Sequence, residues 1–356
     1  MQCVNQLMAA AVRQNSGTQA TKSLSADGAY SVPDSISVTD GIIRIRPPET
    51  ADTDLLRRWG RDLDLPSGRA ADCDEFRPIG MVIDGDEIVG WVGYGADREW
   101  LTDGEVQVRY HFANPHCCDG HAVRAVHLLM HHLATRARYH TAVLQADPRD
   151  SHSLAVAVAT RFTCRDAGEY LFARPVPPLS YTDGVVTIRR QCVDDIGAHL
   201  AAIDDEQIDW LWEPGDRERW EALTPDQQRA HNLRHLRASH ESFGRGPKWA
   251  FSVDGAGTKY IAYVDCDLAN NHVPLGEANI AYAAHPAHRG HGNVSRAVRL
   301  LTQFLRDHTG ARAAHIVVDV RNTASLRVAR AVGATESERW RDEHGRIMIR
   351  HVLTLR

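Results

Sequence analysis

The chain repeats itself, and that repetition limits what it can fold into more than any other feature. Thr39-Asp40-Gly41-Ile42-Ile43-Arg44-Ile45-Arg46 returns as Thr182-Asp183-Gly184-Val185-Val186-Thr187-Ile188-Arg189, an offset of 143 residues. Further on, Asp147-Pro148-Arg149-Asp150-Ser151-His152-Ser153-Leu154 returns as Asp319-Val320-Arg321-Asn322-Thr323-Ala324-Ser325-Leu326, an offset of 172. The second register reaches upstream. Glu105 falls on Glu277, Tyr110 on Tyr282, Gly120 on Gly292, Arg124-Ala125-Val126 on Arg296-Ala297-Val298, and Leu128-Leu129 on Leu300-Leu301. So many matches at one fixed offset mark two homologous domains. The growth of the offset from 143 to 172 places 29 extra residues in the second copy, between about 190 and 259. An insertion of that size belongs on the surface, where it shapes a cleft.

At 356 residues each copy is long enough to bury its own core. The expected division is a Ser-, Ala- and Gln-rich leader over 1–36, a first domain over 37–178 and a second over 179–356. A net charge of −5 argues against a general nucleic-acid or membrane-surface binder. No apolar run approaches the roughly 20 residues needed to span a bilayer. Seven cysteines without CxxC pairs suit reduced thiols in a cytoplasmic protein. His116-Cys117-Cys118 with His121 lacks the spacing of a zinc site, so no metal is expected.

Periodicity gives a mixed α/β domain, repeated. Strands are expected over Ile42–Ile45 and Val185–Ile188, Glu87–Tyr94 and Lys259–Asp265, and Glu105–Phe112 and Glu277–Ala284. A Gly-containing loop then leads into a helix with Val294, Val298, Leu301 and Leu305 on one face. A strand over Ala313–Val320 and a helix over Ser325–Val332 follow, with Gly333 as its C-terminal stop. Between strand and helix, His285-Pro286-Ala287-His288-Arg289-Gly290-His291-Gly292-Asn293-Val294-Ser295 has the makings of a phosphate cradle. Its glycines let backbone N–H groups approach an anion, and the helix N-terminus adds partial positive charge.

Here the sequence resembles the GNAT superfamily of N-acetyltransferases. Arg289, Gly292 and Val294 occupy the Arg/Gln-x-x-Gly-x-Gly/Ala signature, with Val294 departing from its final small residue. Asn322, Ser325, Ala329 and Gly333 meet a second, Asn-x-x-Ser signature. The resemblance implies acetyl-CoA as donor, its pantetheine arm paired with the backbone of Ala283, Ala284 and His285. Its pyrophosphate would lie in the loop Arg289, Gly290, His291, Gly292, Asn293, Val294 and Ser295, and its thioester near Asn322 and Ser325. At the 172 offset the first copy carries Cys117, Cys118, Asp119 and Asp150 in place of Arg289, Gly290, His291 and Asn322. Asp119 would set negative charge where the pyrophosphate should sit, so the first copy is expected to be degenerate and structural.

For the chemistry, Glu277 is the candidate base that frees the acceptor amine, although Glu105 in the first copy also suits a structural carboxylate. The tyrosine that many relatives place at Ala329 is absent, which leaves Ser325 to serve the departing thiolate or to cap its helix. Tyr282 is either an acceptor-lining or a core residue. Between Asp204 and Asp226 nine acids stand among Trp210, Trp212 and Trp220. Asp209, Trp210, Trp212 and Glu213 would suit a small cationic amine through ion pairs and cation–π contact. The alternative is a solvated helix face over a few core tryptophans. The resemblance leans to antibiotic and ribosomal-protein acetyltransferases, with a cyclic peptide of the capreomycin and viomycin type as acceptor. Protein N-termini, a mycothiol-synthase-like reaction and a non-catalytic acyl-CoA sensor stand as alternatives. The oligomeric state is open, with a monomer compatible with two fused copies.

Overall fold

The computed structural model describes residues 36–62, 79–96, 98–113, 120–136, 138–146, 150–166, 168, 170–212 and 215–355. The leader but for Ile36, together with Cys117, Cys118, Asp119 and Glu213, lies outside the described residues. The chain divides into two compact units, one holding Ile43–Pro177 and the other Pro178–Arg356, with Thr39–Ile42 grouped with the second.

Unit 1 is built on an eight-stranded mixed sheet. Its strands are β1 (Val38–Thr39), β2 (Ile43–Arg46), β3 (Gly80–Asp84), β4 (Glu87–Gly95), β5 (Glu105–Phe112), β6 (Thr141–Gln145), β7 (Thr163–Asp166) and β8 (Leu171–Pro175), in the order β1-β2-β3-β4-β5-β6-β8-β7. Its helices are α1 (Thr53–Asp62), α2 (His121–Ala134) and α3 (Ser151–Ala159). Every neighbouring pair from β2 to β8 is antiparallel except β5 and β6.

Unit 2 repeats the plan. Its strands are β9 (Tyr181–Thr182), β10 (Val186–Arg190), β11 (Lys248–Gly255), β12 (Thr258–Asp267), β13 (Ala278–Ala284), β14 (Ala313–Asp319), β15 (Thr335–Arg341) and β16 (Ile347–Thr354). They run in the order β15-β16-β14-β13-β12-β11-β10-β9, and β13 with β14 is the parallel pair. The inserted stretch holds four helices: α4 (Ile196–Ala202), α5 (Asp205–Leu211), α6 (Asp216–Glu221) and α7 (Pro225–Ser242). After β13 come α8 (Asn293–His308) and, beyond β14, α9 (Thr323–Ala331). The mixed α/β class follows as expected. Glu277 falls one residue before β13, and Gly333 ends α9 in the left-handed region at φ +82°.

Alternation along the strands decides which face is core. Val186, Ile188, Trp249, Phe251, Val253, Val264, Cys266, Ile280, Ile316 and Val318 point to the face covered by α8. Phe304 of α8 sits among them, its ring 4.8 Å from Phe251 and 5.4 Å from Trp249. The opposite face therefore carries Tyr263, Asp265 and Asp267 of β12, Asn279, Ala281 and Ala283 of β13, and His315 of β14. That second face holds the chemistry.

One polar staple is common to both copies. Arg46 forks onto Asp52 at 2.7 and 2.9 Å, and Arg189 onto Asp195 at 3.0 and 2.7 Å, again at the 143 offset. Asp195 is 3% exposed and also accepts from Ser252 and the Cys192 N–H. Burial pushes its carboxyl up, but Arg189, Ser252 and that N–H outweigh it and hold it at about 2. A depressed carboxylate stabilises the fold above its unfolded value, and this is lost as pH falls from about 4 towards 2, an effect of about 2 kcal/mol. Asp195→Asn should destabilise unit 2 by roughly 3 kcal/mol in urea at pH 7 and lose most of that penalty near pH 2. An equal penalty at both pH values would show that charge is not what matters there.

Candidate active site

Two strands open to make the site. β13 and β14 pair only at Ala278 with Ala314 and Asn279 with His315, and then diverge. In unit 1 the equivalent β5 and β6 stay paired over four residues, from Glu105 with Thr141 to Val108 with Leu144. The Gly-loop and α8 follow the open strand, and α9 follows its partner.

Ladder geometry says which backbone groups face the opening. His285 N donates to Ile261 O at 2.9 Å. Along an antiparallel strand the residues alternate, so odd-numbered residues of β13 turn N–H and C=O to β12 and even-numbered ones turn away. Of the three residues expected to offer backbone to a pantetheine arm, only Ala284 faces the opening. Ala283 and His285 do not, and Ile280 and Tyr282 join Ala284 instead. The His285 ring folds back to accept the Ala287 N–H through Nδ1 at 3.3 Å.

The loop is shaped for an anion. Gly290 and Gly292 lie at φ +79° and +75°, and a Cβ at either would meet nothing within 4 Å. Gly292 is the N-cap of α8, with no side-chain cap, and the first helical bond runs from Arg296 N to Gly292 O at 3.2 Å. The N–H groups of Asn293, Val294 and Ser295 are the ones a helix start leaves without helical partners. His291 is exposed beside them. Val294 packs its side chain against the core, so its departure from a small residue turns inward, away from the anion.

Arg289 is not free at the mouth of this loop. It forks onto Asp204 at 2.7 and 2.8 Å and reaches Glu206 at 2.7 Å. Asp204 is the N-cap of α5 and accepts from Gln207 N. At the other end of α5, the ring of Trp210 lies 5.9 Å beneath the guanidinium of Arg321, in the turn after β14. α5 is thus tied at its start to the loop after β13 and near its end to the turn after β14. Four further acids have local partners: Arg217 holds Asp205 at 2.6 Å and Asp209 at 2.9 Å and lies 3.7 Å from Glu221, and Arg219 pairs with Asp216. Trp212 packs edge-on against Trp220 at 5.6 Å. Of the expected acceptor residues, Asp209 and Trp212 thus have partners within the helical insert, and Trp210 lies under Arg321.

Asn322 caps α9, its side chain accepting from Ser325 N at 2.9 Å. The Ser325 hydroxyl shares a 2.7 Å hydrogen bond with Tyr282 OH. Tyr282 therefore ties β13 to α9. Burial pushes its phenol up to about 12, against the Ser325 hydrogen bond, so it stays protonated at neutral pH. In unit 1 the counterpart serine, Ser153, also donates to Asp150, at 2.5 Å. Ala329 is fully buried and fills core.

Glu277 stands where β13 and β14 part, its Oε2 2.5 Å from Nε2 of His315. Two groups on this face escaped the sequence reading. Asp265 on β12, opposite Ala281, is pushed up to about 6, chiefly by burial and against the pull of Lys248 at 3.8 Å. His315 was masked by its apolar strand, yet the repeat would have exposed it, because Val143 stands there in the first copy. Among the described residues no group of three or more His, Cys, Asp or Glu is placed to hold a metal ion. No described helix is long and apolar enough to cross a membrane.

Residues 186–335 match the acetyltransferase (GNAT) domain family. This stretch of unit 2 is a GNAT acetyltransferase domain. The activity of a GNAT domain is transfer of an acetyl group from acetyl-CoA to nitrogen, and the uncapped loop and open strand edge of this one suit such a donor. A comparison with curated proteins gives no match. Among solved structures, the microcin C7 self-immunity acetyltransferase MccE, in complex with acetyl-CoA and AMP, is 16% identical. The match covers 49% of this chain and 93% of that one, at a TM-score of 0.37. Mycobacterium smegmatis RimJ, in complex with CoA-disulfide, is 20% identical over 48% of this chain and 82% of its own, at 0.39. The Salmonella typhimurium enzyme that modifies the N-terminal serine of ribosomal protein L7/L12 is 14% identical over 48% and 95%, also at 0.39.

Proposed function

We propose that unit 2 acetylates a primary amine of a small cationic acceptor by direct transfer in a ternary complex, with unit 1 as a degenerate copy in a structural role. The observation that carries this reading is the acidic face at the base of the opening. Asp265 and Asp267 project from β12, Asp267 is paired in register with Asn279, and Glu277 immediately precedes β13. Carboxylates on adjoining strands favour an ammonium group before it is deprotonated. A cyclic peptide antibiotic of the capreomycin and viomycin type has the charge and the several amines this face would take. Its cysteines, of which Cys164, Cys192 and Cys266 are free, suit a cytoplasmic enzyme.

Each residue then has a task. The ammonium proton passes to Glu277. The amine nitrogen bonds to the thioester carbonyl carbon and the C–S bond breaks, with the even-numbered N–H groups of β13 facing the developing oxyanion. The second amine proton balances the departing thiolate, and the Tyr282–Ser325 pair donates to the sulfur. Amine plus thioester give amide plus thiol.

The test is thiol release from acetyl-CoA against capreomycin, viomycin, aminoglycosides, polyamines and peptides with free N-termini. Turnover on a cationic antibiotic supports the reading. Turnover on peptides alone replaces it with protein N-terminal acetylation, and tight acetyl-CoA binding without any turnover favours a sensor. Arg289 supplies a second prediction. Asp204→Asn with Glu206→Gln should tighten CoA binding about 3- to 10-fold by calorimetry, because the guanidinium no longer has to leave exposed pairs worth about a kcal/mol. Weaker binding would mean that the acids position Arg289 instead of competing for it.

A further inference from the structure

We propose that His315 is a positioning residue for Glu277, holding one carboxylate oxygen so that the other faces the acceptor amine. The inference rests on the reading of Glu277 as the base. The Glu277 side chain is 28% exposed and His315 is 5% exposed. Oε2 is bound to His315 Nε2, and among the described residues Oε1 makes no hydrogen bond. A carboxylate only accepts, so Nε2 is the donor. Nδ1 is buried without a partner, and a bare lone pair there costs less than an N–H that finds no acceptor. The ring thus presents its Nε2–H to Glu277, while Nδ1 meets no acceptor.

The repeat shows what this arrangement changes. β5 with β6 and β13 with β14 share one register, since Val106 pairs with Ala142 where Ala278 pairs with Ala314. Glu105 and Glu277 are therefore equivalent carboxylates, and Val143 stands in the place of His315. With no histidine to meet, Glu105 is taken by Arg165, whose Nη1 lies 2.9 Å from both oxygens, and Thr102 N donates to Oε2 at 2.8 Å. Burial pushes Glu105 up, but the Thr102 N–H and Arg165 more than reverse it, leaving it below the usual carboxylate range. A carboxylate so covered is a poor base. In the second copy Ser337 replaces Arg165 at the 172 offset, and His315 engages only one oxygen. The two changes together release Oε1 and keep it oriented.

The step this serves balances without a co-reactant. The R–NH3+ proton moves to Glu277 Oε1, the free amine forms the C–N bond, the C–S bond breaks, and the sulfur takes the nitrogen's second proton and leaves as the thiol. His315 keeps its own proton throughout and acts through the hydrogen bond.

The experiment uses the full chain with acetyl-CoA and capreomycin, or the panel amine that turns over, and compares E277Q, H315Q, H315N, H315V and the double variant E277Q/H315V. Glutamine can present an N–H near the position of Nε2, so H315Q should keep kcat within about threefold. Asparagine is too short and valine has no donor, so both should lose about 10- to 100-fold in kcat with KM for acetyl-CoA unchanged. E277Q/H315V should be no slower than E277Q alone, because a positioning residue has nothing left to position. Should valine unfold the domain, H315N against H315Q carries the same comparison. Wild-type kcat in H315N, or a loss in the double variant that multiplies that of E277Q, overturns the proposal while leaving the base in place. Wild-type turnover in E277Q overturns the reading of the base itself.

Discussion

Replacing Glu277 with glutamine should lower kcat/KM for the amine by about 10²- to 10⁴-fold, the range expected when a general base is lost. The affinity for CoA should change by less than about twofold. The separation of the two effects follows from the length of β13. Glu277 precedes its first residue, whereas the Gly290–Gly292 turn lies beyond its last, roughly 20 Å away at about 3.3 Å per residue. Glutamine keeps the size and can still accept from His315 Nε2, so the strand and its neighbours have no cause to move. What it lacks is a lone pair basic enough to take a proton. Thiol release gives the rate and calorimetry with CoA gives the affinity. A variant that turns over normally would remove Glu277 from the mechanism and turn attention to Asp265, whose raised carboxyl lies on the same face.

Much of this arrangement was legible in the sequence because repetition doubles every signal. The strand–loop–helix around Gly292 and the mixed α/β class follow from spacing that both copies share, whereas Gly333 is read from the second copy alone, where Arg161 is its counterpart in the first. What the sequence hid depends on partners far apart along the chain. Arg289 reads as a phosphate ligand until Asp204 and Glu206, more than eighty residues upstream, are seen to hold it. Asp209 reads as a cation site until Arg217 is found on it. Tyr282 reads as a lining residue because nothing in one strand reveals that Ser325 lies 2.7 Å away. Period-two patterning shows that a side chain faces one side of a sheet, but it does not show which neighbour meets it there. Only comparison between the copies recovers part of that: Val143 against His315 and Arg165 against Ser337 are differences the offset alone displays.

The same comparison sets the second large effect, at the loop. Gly120 and Gly292 adopt one conformation, φ +79° and ψ 2° against φ +75° and ψ 3°, and each caps its helix without a side chain. The turn has survived in both copies, so backbone shape does not separate them; charge does, with Asp119 aligned on His291. Gly292→Asp would put a carboxylate in the second copy one residue from that position. Aspartate tolerates the left-handed region better than most residues, at a cost of about 1 kcal/mol, and the space is open. Its carboxylate would take N–H groups at the start of α8 that the pyrophosphate needs, which stabilises the helix while closing the site. It would also face the incoming charge. Two unit charges about 5 Å apart at an effective dielectric of about 20 repel by about 3 kcal/mol, more than a hundredfold in affinity. Calorimetry should therefore show CoA binding to Gly292→Asp weakened at least about 100-fold, with the thermal midpoint close to wild type. Gly292→Asn separates the two causes, because it fills the same space and caps the same N–H groups without the charge. It should lose only about tenfold, the worth of one capping interaction. If asparagine weakens binding as much as aspartate, occlusion is what matters at this loop. Charge would then no longer be the ground for proposing that the first copy is degenerate.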